Sequence, residues 1–377
     1  MKVVVAIDSF KGSLSSLEAG EAIREGALKA DKDAEVVIRP LADGGEGTVE
    51  ALAIGLGGEM IECEVTGPLG TPVTAKYCIV KGATAVIEMA QAAGLPLVPS
   101  DKRDPMVTTT YGVGELIRDA ISRGCRSFIV GIGGSATNDG GTGMLSALGF
   151  EFLDKNGTPI AQGARGLESL ACVSGANALP EIRECSFRVA CDVNNPLCGE
   201  RGCSAVYAPQ KGATPEAVRI MDEWLGKYAE TSKQSFPNAD ANYPGAGAAG
   251  GLGFAFMTFL GGVLESGISI ILDETELERY IADADVVVTG EGRIDFQTAM
   301  GKAPIGVAKL AKKHGKRVVA FAGCVTEDAE ECNLHGIDAF FPIIRGITTL
   351  DEALDKSNAQ RNLTATAYQV FRLLSAQ

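Results

Sequence analysis

The run Val130-Gly131-Ile132-Gly133-Gly134-Ser135-Ala136-Thr137-Asn138-Asp139-Gly140-Gly141 constrains this chain more than any other stretch. An apolar, strand-like segment (127–130) runs into it and a helix-like segment (144–150) follows. Glycines let backbone N–H groups close on an anion with no Cβ in the way. The helix start adds unpaired N–H groups and a partial positive charge. A single aspartate in such a cradle repels phosphate unless a divalent cation lies between the two. The recipe recurs at Asp43-Gly44-Gly45-Glu46-Gly47-Thr48 and at Gly290-Glu291-Gly292-Arg293-Ile294-Asp295. Three glycine–carboxylate loops suggest a metal–nucleotide site.

The surrounding chain is long enough for roughly two domains and a large core that needs no staples. Its net charge of −14 argues against nucleic acid or an anionic membrane as partner. A small anionic substrate stays open, because local charge can oppose the global sign. Ten cysteines are scattered, with Cys198 and Cys203 the nearest pair, which reads as reduced thiols in a cytoplasmic protein. The apolar start Val3–Ile7 stops at Asp8, short of a signal-peptide core, and no apolar run reaches the ~20 residues of a membrane span. With only His314 and His335 present, a zinc site lacks its ligand pattern.

The first and last segments alternate strand and helix. Strands are expected at 2–8, 35–39, 285–289, 317–321 and 339–343. Helices are expected at 48–56, 302–314 and 328–334, with Ser357 capping a last one. Alternation of this kind implies a parallel sheet. The middle reads differently. Two β-rich stretches flank the turn Gly67-Pro68-Leu69-Gly70, strands follow at 84–89, 127–130 and 187–193, and 216–228 is an amphipathic helix. The glycine-rich 244–253 segment has the composition of a hinge. The pattern predicts two α/β domains: a discontinuous one at 1–62 plus 280–377, and an inserted one with a mixed sheet at 63–279.

Each motif has more than one reading. Gly131-x-Gly133-x-x-Ala136 fits a dinucleotide fingerprint, a structural turn, or a phosphate or metal loop; the acid a dinucleotide needs is met only loosely by Glu151 or Asp154. Gly245-x-Gly247-x-x-Gly250 follows no strand and reads as tight packing. Walker A is absent, since Ala303 follows Gly301-Lys302. Asp8-Ser9-Phe10-Lys11-Gly12-Ser13 sits past a strand end, where ligands bind in open α/β sheets; an Asp–Lys surface loop is the plain alternative. Asp192-Val193-Asn194-Asn195-Pro196 could hold Mg²⁺, orient a hydroxyl, or form an Asx turn. Arg293 and Asp295 could serve a site or pair with each other.

These stretches, with Pro40-Leu41-Ala42 before the Asp43 loop, Ala208-Pro209-Gln210-Lys211-Gly212 and Gln297-Thr298, resemble the bacterial glycerate kinase family in order along nearly the whole chain. The resemblance implies transfer of the γ-phosphoryl group of ATP to D-glycerate, with Mg²⁺; the 2-hydroxyl is the expected acceptor and the 3-hydroxyl the alternative. It also implies two α/β domains, one flavodoxin-like. From the segment pattern, the middle domain is expected to close over the first and last segments, with the active site in the cleft between the domains. Roles follow from chemistry. Asp8, Asp43, Asp139 and Glu291 are the candidate metal ligands. Gly133, Gly134, Ser135, Thr137, Asn138 and Lys302 are the candidate nucleotide contacts. Lys11 and Arg293 would neutralise substrate or transferring phosphoryl, and Asp192, with Asp295 as understudy, would accept the hydroxyl proton. A nicotinamide-linked hydroxy-acid dehydrogenase and a non-catalytic glycerate-binding regulator are the competing readings. A homo-oligomer is compatible with all three.

Overall fold

A computed structural model describes residues 1–41 and 47–376, the side chains of Glu50 and Ile54 excepted. Among the described residues there are thirteen strands. They are β1 (Lys2–Val5), β2 (Glu35–Ile38), β3 (Glu59–Thr66), β4 (Pro72–Val80), β5 (Thr84–Glu88), β6 (Ser127–Gly131), β7 (Glu151–Leu153), β8 (Cys172–Ser174), β9 (Ser186–Ala190), β10 (Val263–Glu265), β11 (Val286–Ile294), β12 (Arg317–Val325) and β13 (Ala339–Pro342). The chain divides into two compact units. Counting described residues, the first takes the chain up to 41, then 50–56, then everything from 268 onward; the second takes 47–49 and 57–267.

The first unit is a five-stranded sheet in the order β13-β12-β11-β1-β2, parallel throughout. Val3 pairs with Val286 and Val5 with Val288, so the two ends of the chain share one sheet. Numbered within the unit, the order is 2-1-3-4-5. Val3, Val4, Val5, Val287 and Val288 are fully buried, as expected of a sheet covered on both faces. Helix Ser16–Ala30 starts at a capping box of Ser15 and Glu18 and packs along the last helix, Lys356–Ser375. That last helix is capped by Asp355, two residues before the expected Ser357, because the Asp355 carboxylate reaches the N–H of Asn358.

The second unit holds a six-stranded mixed sheet, β10-β9-β6-β5-β4-β3. Strands β3, β4 and β5 run antiparallel to one another, while β5, β6, β9 and β10 are parallel. β3 begins at Glu59 and pairs with β4 along its whole length, so this unit takes up the chain earlier than residue 63. At the other limit, helix Leu277–Ala282 packs on helix Ala303–Lys313 of the first unit, with Leu277 and Ile281 buried. Phe254, Phe256 and Phe259 fill the second core, and Phe128 stacks on Phe187 at 4.8 Å.

The 244–253 segment is no hinge. A Cβ on Gly250 would lie 2.1 Å from the carbonyl oxygen of Thr137, and the N–H of Gly140 donates to Gly250 O at 2.9 Å. Ala249, Gly250 and Gly251 have left-handed backbone angles at the head of helix Ala248–Leu260, and the two glycines let this kink press onto the 137–140 loop.

Candidate active site

In the first unit, the chain order of the sheet reverses between β1 and β11. In open α/β sheets, ligands bind beyond the carboxyl ends of the strands at such a point. The Asp8–Ser13 loop leaves β1 there, and Glu291, Arg293, Asp295 and Lys302 lie at the end of β11 or just beyond it. β11 runs through Ile294, five residues past its expected end, paired with β12 up to Ile294–Val325. Only glycine fits the crossing at 290: φ is +149° and a Cβ would stand 1.9 Å from Phe321 O. Glu291 and Arg293 are therefore carried by a paired strand rather than by a loop.

Asp8 is buried; its N–H donates to Gly290 O at 3.0 Å, and its Oδ1 accepts the N–H of Ser9 at 2.6 Å. Lys11 is exposed, its backbone packs beside Gly292, and its charge acts on Glu291. Glu291 accepts the Thr298 hydroxyl at 2.7 Å and stands 3.8 Å from Lys302 Nζ. Burial pushes the Glu291 carboxyl above its ordinary value, against the pull of Thr298 and Lys302. Asp295 has a different task. Its Oδ1 caps helix Phe296–Ala299 through the N–H groups of Gln297 and Thr298, and its Oδ2 lies 3.4 Å from Arg293 Nε. The plain pairing of Arg293 with Asp295 is thus present. Asp43 lies outside the described residues.

In the second unit, β6 and β9 are parallel neighbours that end together, Gly131 beside Ala190. The glycine loop leaves the first and Asp192 follows the second. Gly133 and Gly134 are exposed, and no acceptor among the described residues faces their N–H groups. Ser135 Oγ accepts from Lys211 Nζ at 2.7 Å, and the same ammonium donates to Thr137 O at 2.7 Å. Lys211 is only 2% exposed, and burial lowers its pKa to about 8 despite the opposing influence of Cys203 and Asp139. Asp192 is exposed, and its Oδ1 accepts the N–H of Gly267 at 3.1 Å.

Three expectations for this loop need correction. Asp139 is fully buried: Oδ2 accepts from the N–H and hydroxyl of Thr110 and from Gly143 N–H, and Oδ1 from Gly141 N–H. Its lone pairs brace the turn, so it is not a metal ligand. Burial pushes its carboxyl up, while these donors pull it down. Thr137 and Asn138 are also fully buried, and Asn138 Nδ2 donates to Ser204 Oγ at 2.9 Å. Both side chains are enclosed by protein rather than open to a ligand, and Thr137 Oγ1 and Asn138 Oδ1 have no hydrogen-bond partner among the described residues.

The dinucleotide reading fails on topology. Glu151 opens β7, which pairs only with β8 in a separate two-stranded sheet, and the strands beside β6 are β5 and β9. Asp154 accepts N–H groups of its own turn. Both histidines lie beside glutamates, His314 Nε2 3.0 Å from Glu278 and His335 Nε2 3.7 Å from Glu331. Lys211 and Thr298 escaped the reading of single residues. A lysine between Gln210 and Gly212 looks solvated in a sequence, and nothing local signals its burial.

Carboxylates and cations at a switch point, with an anion-ready glycine loop on a second α/β unit, are the equipment of a phosphotransferase. The chain belongs to the glycerate kinase family, whose sequence profile matches residues 3–375. It is an enzyme of that kinase class. It is 49% identical over 376 residues to a glycerate kinase of Haemophilus influenzae, covering 100% of this chain and 99% of that one. It is 48% identical over 372 residues to a glycerate 2-kinase of Escherichia coli K12, covering 97% and 98%. A crystal structure from Salmonella typhimurium LT2, of a chain assigned as glycerate kinase 2, superposes with a TM-score of 0.92 at 48% identity and covers 100% of this chain and 98% of its own.

Proposed function

We propose that this enzyme phosphorylates D-glycerate at the 2-hydroxyl, with Mg²⁺–ATP as donor. The observation that carries the reading is the meeting of Asp8, Lys11, Glu291 and Lys302 at the carboxyl ends of β1 and β11. The name of the E. coli relative supports the 2-hydroxyl. The 2-1-3-4-5 strand order supports a flavodoxin-like first domain.

The chemistry of these residues supports the implied groups. Mg²⁺ is held by one or two carboxylates together with phosphate oxygens and water; Glu291 and Asp8 are the proposed pair, and Asp43 a third candidate. When bound, Mg²⁺–ATP supplies the phosphoryl group and offsets its charge. The unpartnered N–H groups of the exposed Gly133 and Gly134, with the Ser135 hydroxyl, are the proposed phosphate contacts. Lys302 neutralises charge beside Glu291. Lys11 holds the carboxylate of glycerate, Arg293 adds charge at the rim, and Asp192 takes the proton from the substrate hydroxyl. Asp295, engaged as a helix cap, positions Arg293. The cleft expected from the sequence belongs to this proposal on chemical grounds, because transfer needs acceptor, donor and base around one phosphorus.

All ten cysteines carry free thiols, which supports a reducing, cytoplasmic setting. No described helix is long and apolar enough to cross a membrane.

Phosphorus NMR of the product of ATP, Mg²⁺ and D-glycerate tests the reading. The expected signal is a phosphate on the secondary carbon. A 3-phosphorylated product overturns the assigned hydroxyl, and unaltered turnover in excess chelator removes the acidic residues from a metal role.

A further inference from the structure

Lys211 is a buried cation with no carboxylate partner among the described residues. Such a charge weakens a fold unless its donors are used. Both hydrogen bonds it makes go to the glycine loop, to Ser135 Oγ and Thr137 O, each at 2.7 Å. A serine hydroxyl has one proton and two lone pairs. Lys211 occupies a lone pair of Ser135, and among the described residues no acceptor faces the Ser135 proton. Ser135 sits directly after the two unpartnered N–H groups of Gly133 and Gly134. The rest of the loop is pinned: Ala136 N–H donates to Ala93 O at 2.9 Å, and Ala136 O accepts the Thr108 hydroxyl at 2.8 Å.

We infer that Lys211 is a positioning residue for nucleotide binding: by donating to Ser135 Oγ it fixes that hydroxyl as a donor to phosphate, in line with the N–H groups of Gly133 and Gly134. The inference rests on the glycine loop being the phosphate site proposed above. A neutral lysine amine has a lone pair of its own, so the serine proton can turn back toward Nζ and the third donor is lost. Burial brings Lys211 to about 8, so the reversal falls in a range where the enzyme can be assayed. The groups that act on its charge are Asp139 in the loop and Cys203 on helix Cys203–Tyr207, both favouring the proton. Arg103 backs Gly212 through its carbonyl oxygen and is not among the groups that act on the Lys211 charge.

The test is a double-mutant cycle on the KM for Mg²⁺–ATP, with kcat, the KM for glycerate and thermal stability recorded alongside. Ser135→Ala and Lys211→Met are each expected to raise the KM for ATP about tenfold or more, with the KM for glycerate within a few-fold. The double variant should be no worse than either single one. Effects that multiply in the double variant, or a folded Lys211→Met with an unchanged KM for ATP, overturn the inference and leave the phosphate site standing. A Ser135→Ala enzyme with an unchanged KM for ATP overturns the phosphate-loop reading itself. If Lys211→Met does not fold, the wild type and Ser135→Ala are compared from about pH 7 to about pH 9.5. A rise in KM for ATP in that range, present in the wild type and absent from Ser135→Ala, supports the inference. The same rise in both overturns it.

Discussion

Thr110 gives both its backbone N–H and its hydroxyl to one oxygen of Asp139, at 2.9 and 2.8 Å, while its Oγ1 accepts the N–H of Met144 at 2.9 Å. One threonine therefore ties the aspartate of the glycine loop to the helix that follows it. Asp139→Asn would turn an amide donor toward donors in a fully buried place. We expect a loss of about 3 kcal/mol or more, read from denaturant unfolding, with the Mg²⁺ requirement of the folded fraction unmoved. A variant as stable as the wild type, but needing far more Mg²⁺, would return Asp139 to the metal.

Two glycines with similar backbone angles should respond differently to alanine. Gly157 has φ +78° and nothing within 4 Å of a Cβ, so Gly157→Ala meets only the left-handed penalty, about 1–2 kcal/mol. Gly250 has φ +70° and a Cβ position 2.1 Å from Thr137 O. Gly250→Ala should cost several kcal/mol and raise the KM for ATP by displacing the loop. Equal destabilisation of the two variants would count against the packing described for helix Ala248–Leu260.

For Glu291 the sign of the pH effect follows from its burial. Its folded-state pKa lies above its ordinary value, so the native state binds the proton more tightly than the unfolded chain between those two values. Stability from this group is present below the ordinary value and is lost as pH rises through the window between the two. In the proposed metal role activity runs the other way, because a carboxylate, not a carboxylic acid, would hold Mg²⁺. The acid limb of kcat/KM should lie above the ordinary range for a glutamate. Glu291→Gln should be at least as stable as wild type at neutral pH, with kcat lowered about 10²-fold or more. A destabilised but active variant would contradict both parts.

Asp192→Asn tests the proposed base. An asparagine oxygen can still accept the N–H of Gly267 while having no capacity to take a proton. The expected loss in kcat is about 10²-fold or more with ATP binding retained. Lys11→Ala, at an exposed position, should leave stability within about 0.5 kcal/mol of wild type and abolish most turnover through a higher KM for glycerate. A wild-type KM and kcat for that variant would make Lys11 an ordinary surface lysine.

The parallel sheet was legible in the alternation of short valine-rich runs with helical stripes, and the site loops in their glycines and acids. What stayed hidden depends on partners distant in sequence. β11 passes its expected end because β12 offers pairing up to Val325 and Gly290 tolerates the contact with Phe321. Asp355 and Ser357 are both suitable caps by type, and the last helix begins at Lys356 because the Asp355 carboxylate is the one that reaches the N–H of Asn358. Asp139 reads as a ligand by composition; Thr110, twenty-nine residues earlier, makes it a brace. Lys211 carries a hydrophilic name into a buried place that only the fold of the 131–141 loop creates.

The partnership of Val3 with Val286 has a consequence for biosynthesis. β1 leaves the ribosome early, yet its partner on one side is made about 280 residues later. At ~5–20 residues per second, that strand edge waits on the order of a quarter of a minute or longer. The second unit from residue 57 to 267 is contiguous and can complete its mixed sheet in the interval. The valine-rich edge of β1 is then the segment most exposed to wrong pairing in the nascent chain, and the last strand-bearing third of the polypeptide is what ends that exposure.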